Sequence, residues 1–395
     1  MEPLSEALRQ VAADPPPTTI DVDRIVAAEQ RRARHRHWAA GTAAVALAVA
    51  VVISGGSIVG TRALVARYGS TVNKVDALPT HPGRAALNGP VNFLVVGIDG
   101  RNGPSGLVRS DTIIVVHIPA SHDRAYLVSI PRDTAVEIPA FPPTGYRGGH
   151  DKIDAAYALG SMGNGGRAGG LKLLAETIRQ MSGITVDGAA VVDFAGFRNV
   201  VEALGGVHMC VDEKTVSLHI GIDRNGRYAP PFTTAGGQFT PVPGVTPVVY
   251  EPGCRDLAPW QALDYIRQRV FIPDGDYGRQ RHQQQLLAAI ATRAMSSGVL
   301  SNPAKLDALV RAAGGGLTVD FGGADLLDWM ATLKSVGPDD IVMIRTNGGH
   351  YQPVKVDGVY GEQLSPDSRQ LLQAVRDDTV ADFLGRHPDW VVEDR

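Results

Sequence analysis

Cysteine is nearly absent from this chain of 395 residues: there are two, Cys210 and Cys254, with no C-x-x-C pair and no Cys/His cluster of the kind a structural zinc site needs. Also missing are a G-x-S-x-G elbow, an H-E-x-x-H helix and a P-loop lysine, so a serine hydrolase, a zinc peptidase and a P-loop NTPase lack support. No surplus of positive charge exists either. The formal charge is −3 and the arginines cluster locally, which argues against a nucleic-acid partner.

Charge is wholly absent from residues 38–60, WAAGTAAVALAVAVVISGGSIVG, a run long enough to cross a bilayer as a helix. The basic segment RRARHRHW precedes it, and cytoplasmic flanks are the ones enriched in Lys and Arg, so the bulk of the chain is expected outside the membrane. A cleaved signal peptide is the rival, but the run starts late and exceeds a typical signal core. The expected organisation is a cytoplasmic tail 1–37, a transmembrane helix 38–60, an extracytoplasmic stalk 61–88, a folded domain 89–385 and a C-terminal tail 386–395. Disulfides persist in that compartment, and one bridge is expected between Cys210 and Cys254, two separate buried thiols being the alternative.

The folded part reads as α/β. VNFLVVGID (91–99), DTIIVVHIP (111–119) and AYLVSIPR (125–132) are short β-branched runs bounded by turn residues. As an antiparallel meander, with ASHD turning the chain at the far rim, they bring Asp99, Asp111 and Arg132 to one rim. HDKIDAAYALGS and LKLLAETIRQMSG read as helices on either side of MGNGGRAGG. A dinucleotide loop is discounted there, because the fingerprint needs a strand immediately before it. DGAAVVDFAGFRNVVEALGGV reads as a strand, an amphipathic helix and a glycine stop.

The segment YIRQRVFIPDGDYGRQRHQQQ (265–285) is the richest in candidate ligands. Its second half is expected to open a long helix with Asp276 as N-cap, placing Arg279 and Gln283 on one face. Arg267 and Arg269, two apart in an extended stretch, point the same way. Four donors aimed at one place suit an anion; the competing reading is a solvated basic face paired with Asp274 and Asp276. Carboxylates hold hard cations and guanidinium groups hold phosphate oxygens, so Asp99 and Asp111 beside these arginines read as a metal-assisted phosphate or pyrophosphate site.

LVVGIDGR, RSDTIIVVHI, SIPRDT, KIDAAYALG, VVDFAGFRNVVEALGGV and IRQRVFIPDGDYGRQRHQQQ occur in that order over about 200 residues, and on them the chain resembles the LytR-CpsA-Psr (LCP) family. The resemblance implies a three-layer α/β/α domain with a central mixed sheet, an apolar cavity for a polyprenyl chain and one transmembrane helix ahead of it. It implies a phosphotransferase that moves a glycopolymer phosphate from a polyprenyl-pyrophosphate carrier to a peptidoglycan sugar hydroxyl. The polymer could be teichoic acid, a teichuronic type, arabinogalactan or a capsule. Asp99 and Asp111 would hold magnesium, with manganese as a second candidate, and Arg109, Arg132, Lys152, Arg267, Arg269, Arg279 and Gln283 would bind the pyrophosphate. Asp111, Arg132 and Arg279 are the catalytic candidates, Asp111 as base because no histidine is better placed. Asp154 stands where relatives often have Asn, His282 where many have Arg, and Val136 where some carry a basic residue. A lipid pyrophosphatase and a non-enzymatic polyprenyl-phosphate-binding or regulatory membrane protein are the alternatives.

Overall fold

The computed structural model describes residues 73–78, 87–99, 108–235, 238–296 and most of 312–392. Its main strands are β1 (Asn73–Lys74), β2 (Val91–Ile98), β3 (Ser110–Ile118), β4 (Ala125–Ser129), β5 (Gly188–Asp193), β6 (Leu317–Asp320) and β7 (Ile341–Ile344). They form one seven-stranded mixed sheet in the order β1-β6-β5-β2-β3-β4-β7. β2, β3 and β4 make the antiparallel meander expected from strand order, with Phe93 opposite Val116 and Val115 opposite Val128. The far-rim turn is closed by His122 N–H, which donates to the Pro119 carbonyl at 2.9 Å. β5 joins β2 in parallel and β7 joins β4 in parallel, which makes the sheet mixed.

The principal helices are α1 (Ile153–Gly160), α2 (Gly166–Ser182), α3 (Phe194–Ala203), α4 (Pro259–Tyr265), α5 (Asp276–Ser296), α6 (Pro366–Arg376) and α7 (Val380–Arg386). Leu94, Val96, Ile113 and Val115 face a core shared with α1, α2, α6 and α7, while Phe93, Val95, Ile114 and Val116 face a second core shared with α3, α4 and α5. Burial on both faces explains why these strands are continuous apolar runs instead of alternating ones. α1 and α2 meet through glycines: a Cβ on Gly160 would lie 2.3 Å from the Gly169 carbonyl oxygen. The glycine-rich stretch therefore serves helix contact, and α2 begins inside it at Gly166 instead of after it.

The expected boundaries need correction at both ends. Asn73 and Lys74, placed in the stalk by sequence, pair with β6, and the N–H groups of Ala77 and Leu78 donate to the Asp320 carboxylate at 2.6 and 2.8 Å. Trp390 and Val392, placed in the C-terminal tail, are buried, and Val392 N–H donates to the Met343 carbonyl at 2.8 Å. The predicted span 38–60 lies outside the described residues, among which no helix is long and apolar enough to cross a membrane. Strands Val207–Val211 and Gly253–Leu257 pair with Cys254 opposite Cys210, and these two cysteines are bonded.

Candidate active site

β2, β4 and β5 end, and β3 begins, on one rim of the sheet. Ile98 stands opposite both Ser110 and Asp193, and Asp99 follows it directly. Gly97 pairs with Thr112 while Ile98 pairs with Ser110, so Asp111 is the extra residue of a β-bulge. Such a bulge bends its strand and re-aims one side chain. Here it turns the Asp111 carboxylate onto Arg132 Nη1.

Arg132 is held by a turn. Thr134 N–H and Oγ1 both donate to the Pro131 carbonyl, and the carbonyls of Arg132 and Thr134 accept the first backbone N–H groups of α1, from Asp154 and Ile153. Those donors have no partner inside the helix, so the turn and the helix end satisfy each other. Lys152 Nζ lies 2.6 Å from Asp133 Oδ1, beside Arg132. From the first turn of α5, Arg279 Nη2 reaches Asp276 Oδ1 at 2.8 Å and the Asp111 carbonyl at 3.3 Å. Asp276 is the first residue of α5, one place inside the N-cap position expected for it.

The rim thus interleaves Asp111, Asp133 and Asp276 with Arg132, Lys152 and Arg279. Burial depresses the Arg132 guanidinium, but Asp111, Asp276 and Asp133 outweigh it and leave the group more basic than usual. Arg279 is 6% exposed, and its burial, offset in part by Asp276 and reinforced by repulsion from Arg132, holds it below the usual arginine range. Both side chains have a buried Nε–H with no hydrogen bond among the described residues, the carboxylate oxygens nearest Arg132 Nε being those of Asp133 at 3.7 Å and Asp276 at 3.9 Å. A buried charged donor without an acceptor is costly, and an oxyanion such as phosphate supplies what it lacks.

The other expected ligands divide. Arg267, expected in an extended stretch with Arg269, sits in the turn that closes α4, its guanidinium 4.7 Å from the centre of the Phe194 ring. Arg269 is exposed and repels Arg279. Among the described residues Gln283 has no bond to the acidic rim; it lines an apolar cavity with Gly97, Thr112, Phe194, Phe197 and Leu287. Four donors converging on one point is therefore corrected: Arg279 belongs to the rim network, Gln283 lines the cavity, and Arg267 lies against the ring of Phe194, which also lines it. That cavity is about 60 Å³, far smaller than a tube for a prenyl chain. Arg109 is engaged by Asp154, its Nη1 2.6 Å from Oδ1.

His282 and Arg281 face elsewhere. His282 is fully buried, stacks on Tyr265 with ring centres 4.1 Å apart, and approaches Asp212 Oδ1 at 3.2 Å. Arg281 bonds to Asp212, to Glu213 at 2.6 Å and to Asp274 at 2.9 Å. Asp212, Glu213 and His282 have ligand atoms within 4.8 Å of one another, but that guanidinium already occupies the two carboxylates. His117 is buried between Asn92 and Asp378. Sequence reasoning missed Asp133 as a partner in the site, although its place beside Arg132 was a signal; nothing local marked Glu362, whose buried carboxylate accepts from Tyr277 and Asn347 behind α5.

Asp99 directly follows the end of β2 on the rim where the Asp111 carboxylate accepts from Arg132, and carboxylates are the ligand type a hard divalent cation takes. The LytR_cpsA_psr family model matches residues 65–374. Over 266 residues the chain is 29% identical to the "probable cell wall biosynthesis protein LcpB" of Corynebacterium glutamicum, a match covering 64% of this chain and 53% of that protein, so it spans about half that relative's length. It is 29% identical over 298 residues to the "polyisoprenyl-teichoic acid–peptidoglycan teichoic acid transferase TagT" of Bacillus subtilis, covering 74% of this chain and 76% of the relative. The crystal structure of TagV from B. subtilis superposes with a TM-score of 0.52 at 21% identity, covering 74% of this chain and 98% of TagV, which establishes likeness of fold.

Proposed function

Because the chain belongs to the LytR_cpsA_psr family, we propose that it is a transferase moving a phosphate-linked glycopolymer from a polyprenyl-pyrophosphate carrier to a sugar hydroxyl of peptidoglycan. The observation that carries this reading is the pair of buried Nε–H groups on Arg132 and Arg279 with no hydrogen bond among the described residues, on a rim whose Gly97, Thr112 and Asp193 also line an apolar cavity. The printed name of TagT, a transferase of teichoic acid to peptidoglycan, supports the class of reaction.

In this proposal the acceptor hydroxyl oxygen attacks the phosphorus that carries the glycopolymer. The bond from that phosphorus to the bridging oxygen breaks, and polyprenyl monophosphate leaves. Arg132 and Arg279 stabilise the charge that grows on the transferred and departing groups, as preorganised donors do in phosphoryl transfer. The hydroxyl proton passes to a rim carboxylate, with Asp111 the candidate. Asp99 and Asp111 would hold magnesium or manganese, which when bound neutralises phosphate charge. Lys152, Arg109 and Arg269 would add cationic charge around the diphosphate, and Arg267 and Gln283 would flank the first carbons of the lipid. The prenyl chain would enter by way of the apolar cavity lined by Phe194, Phe197 and Leu287. The reaction is placed on the outer side of the membrane, with 38–60 as the anchor.

The test is direct. Purified protein is incubated with a lipid-pyrophosphate-linked glycan, magnesium and peptidoglycan oligomers. A phosphodiester-linked conjugate is expected; free phosphorylated glycan alone would make the protein a pyrophosphatase, and unchanged substrate a binding protein.

A further inference from the structure

Among the described residues four large hydrophobic side chains are exposed, Met162, Tyr228, Tyr351 and Tyr360, and two of them belong to one short segment beside the charged rim. That segment holds a hairpin, Pro353–Val356 paired with Val359–Glu362, turned by Asp357 and Gly358 at φ 48° and 85°. Positive φ at both central residues is the hallmark of the tight type I′ turn.

The hairpin is fixed to the site. Glu362 N–H donates to the Asp133 carbonyl at 2.8 Å, and a Cβ on Gly361 would lie 2.6 Å from that same oxygen, so only glycine lets the strand approach the turn that carries Arg132. The Glu362 carboxylate is held from the other side by Tyr277 of α5 and by Asn347 Nδ2 at 2.9 Å. Tyr351 Oη donates to the Gly361 carbonyl at 3.0 Å, which orients a ring that stays 54% exposed. Tyr360 is 70% exposed, with Lys355 Nζ 4.4 Å from its ring centre. By strand alternation it shares a face with Glu362. The phenol of Tyr351 is raised by its partial burial and further by the charges of Asp133 and Glu362, with Lys152 opposing, which agrees with its place at the edge of the rim.

We propose that Tyr351 and Tyr360 form a sugar-binding platform that presents the acceptor glycan to the Asp133–Lys152 side of the rim. A pyranose has an apolar C–H face that packs on an aromatic ring, while its hydroxyl edge needs donors and acceptors. Here Asp133, Lys152 and Lys355 supply the second requirement next to two rings that supply the first. Two separate rings are too little apolar surface for a stable protein interface, which takes about 800 Å² per partner. The neighbouring charges are of both signs, which does not favour an anionic lipid surface. The choice of acceptor over donor follows from the sheet: the apolar cavity lies over β2, β3 and β5, whereas the hairpin adjoins the turn after β4, at the other end of the rim. This inference deepens the transferase reading and rests on it only for the word acceptor.

The test uses the full chain in detergent and soluble peptidoglycan disaccharide oligomers as the probe. Binding is followed by saturation-transfer NMR without donor, and transfer by steady-state kinetics with donor. Tyr351→Ala with Tyr360→Ala should weaken oligomer binding and raise the acceptor KM by about tenfold or more, with the donor KM unchanged, while Tyr351→Phe with Tyr360→Trp keeps binding within about threefold. The unfolding midpoint of each variant, together with the aromatic replacements, separates lost stacking from misfolding. Oligomer binding unaltered in the alanine pair, or an equal rise in donor KM, would overturn the platform. Wild-type protein that binds oligomers through these tyrosines yet forms no conjugate would leave the platform standing and defeat the transferase reading.

Discussion

Arg109 Nη1 lies 2.6 Å from Asp154 Oδ1, yet the Asp154 carboxyl is pushed up to about 6, because burial outweighs a partner that is itself 43% exposed. A group protonated more readily in the folded than in the unfolded state makes the native protein bind more protons, so stability falls as pH rises from about 4 to about 6. Asp154→Asn should therefore stabilise the protein at pH 7 by roughly 1–3 kcal/mol and change little below pH 4. Denaturant titrations of both proteins at the two pH values check this, and parallel curves would contradict it.

The meander, its rim and the disulfide were legible because each depends on local pattern: β-branched runs, turn residues between them, and two cysteines in a segment expected outside the membrane. Convergence of Asp111 and Arg132 also followed from strand order. The bulge at Asp111 did not, since it is a property of register between two strands and leaves no trace in either alone. Arg267 was misread for a related reason: whether a residue after a helix extends or turns is decided by tertiary contact, here the Phe194 ring. β1 and Trp390 were assigned to flanking segments because a two-residue edge strand and a lone buried indole carry no periodicity.

Arg279 offers a test of the rim. Its Nε–H awaits an acceptor and its Nη2 is spent on Asp276 and the Asp111 carbonyl. Lysine would keep the charge and lose the fork, so Arg279→Lys as well as Arg279→Ala should lower conjugate formation by about 100-fold or more. Arg132→Ala should do the same, and Asp111→Ala should abolish product. Full activity in Arg279→Lys would show that charge alone suffices there.

The Cys210–Cys254 bond closes a loop with a sequence separation of 44. Cys210→Ser with Cys254→Ser should cost about 3–4 kcal/mol by the loop-entropy argument. Intact mass should rise by about 2 Da on reduction of the wild type and stay constant for the double variant, since reduction adds one hydrogen per sulfur. Equal stability of the two proteins would mean that the paired strands alone hold the loop in place.

Asp212 carries the opposite pH signature to Asp154. Burial pushes its carboxyl up, but the hydrogen bond from His282 and the charge of Arg281 outweigh that and hold it well below the usual carboxylate range. His282 itself is kept neutral by burial, so the lasting positive charge in the cluster is the Arg281 guanidinium, which bonds Asp212, Glu213 and Asp274 together. A depressed carboxyl stabilises the fold above its unfolded value and loses that contribution as pH falls towards the folded one. Asp212→Asn leaves Arg281 with Glu213 and Asp274 as partners, which should destabilise the protein at pH 7 by roughly 1–3 kcal/mol and by less at pH 3. Added zinc should leave the unfolding midpoint of the wild type unchanged, because a cation would have to displace a guanidinium from the same oxygens. A zinc-dependent rise in that midpoint, abolished by Asp212→Asn, would instead make the cluster a metal site.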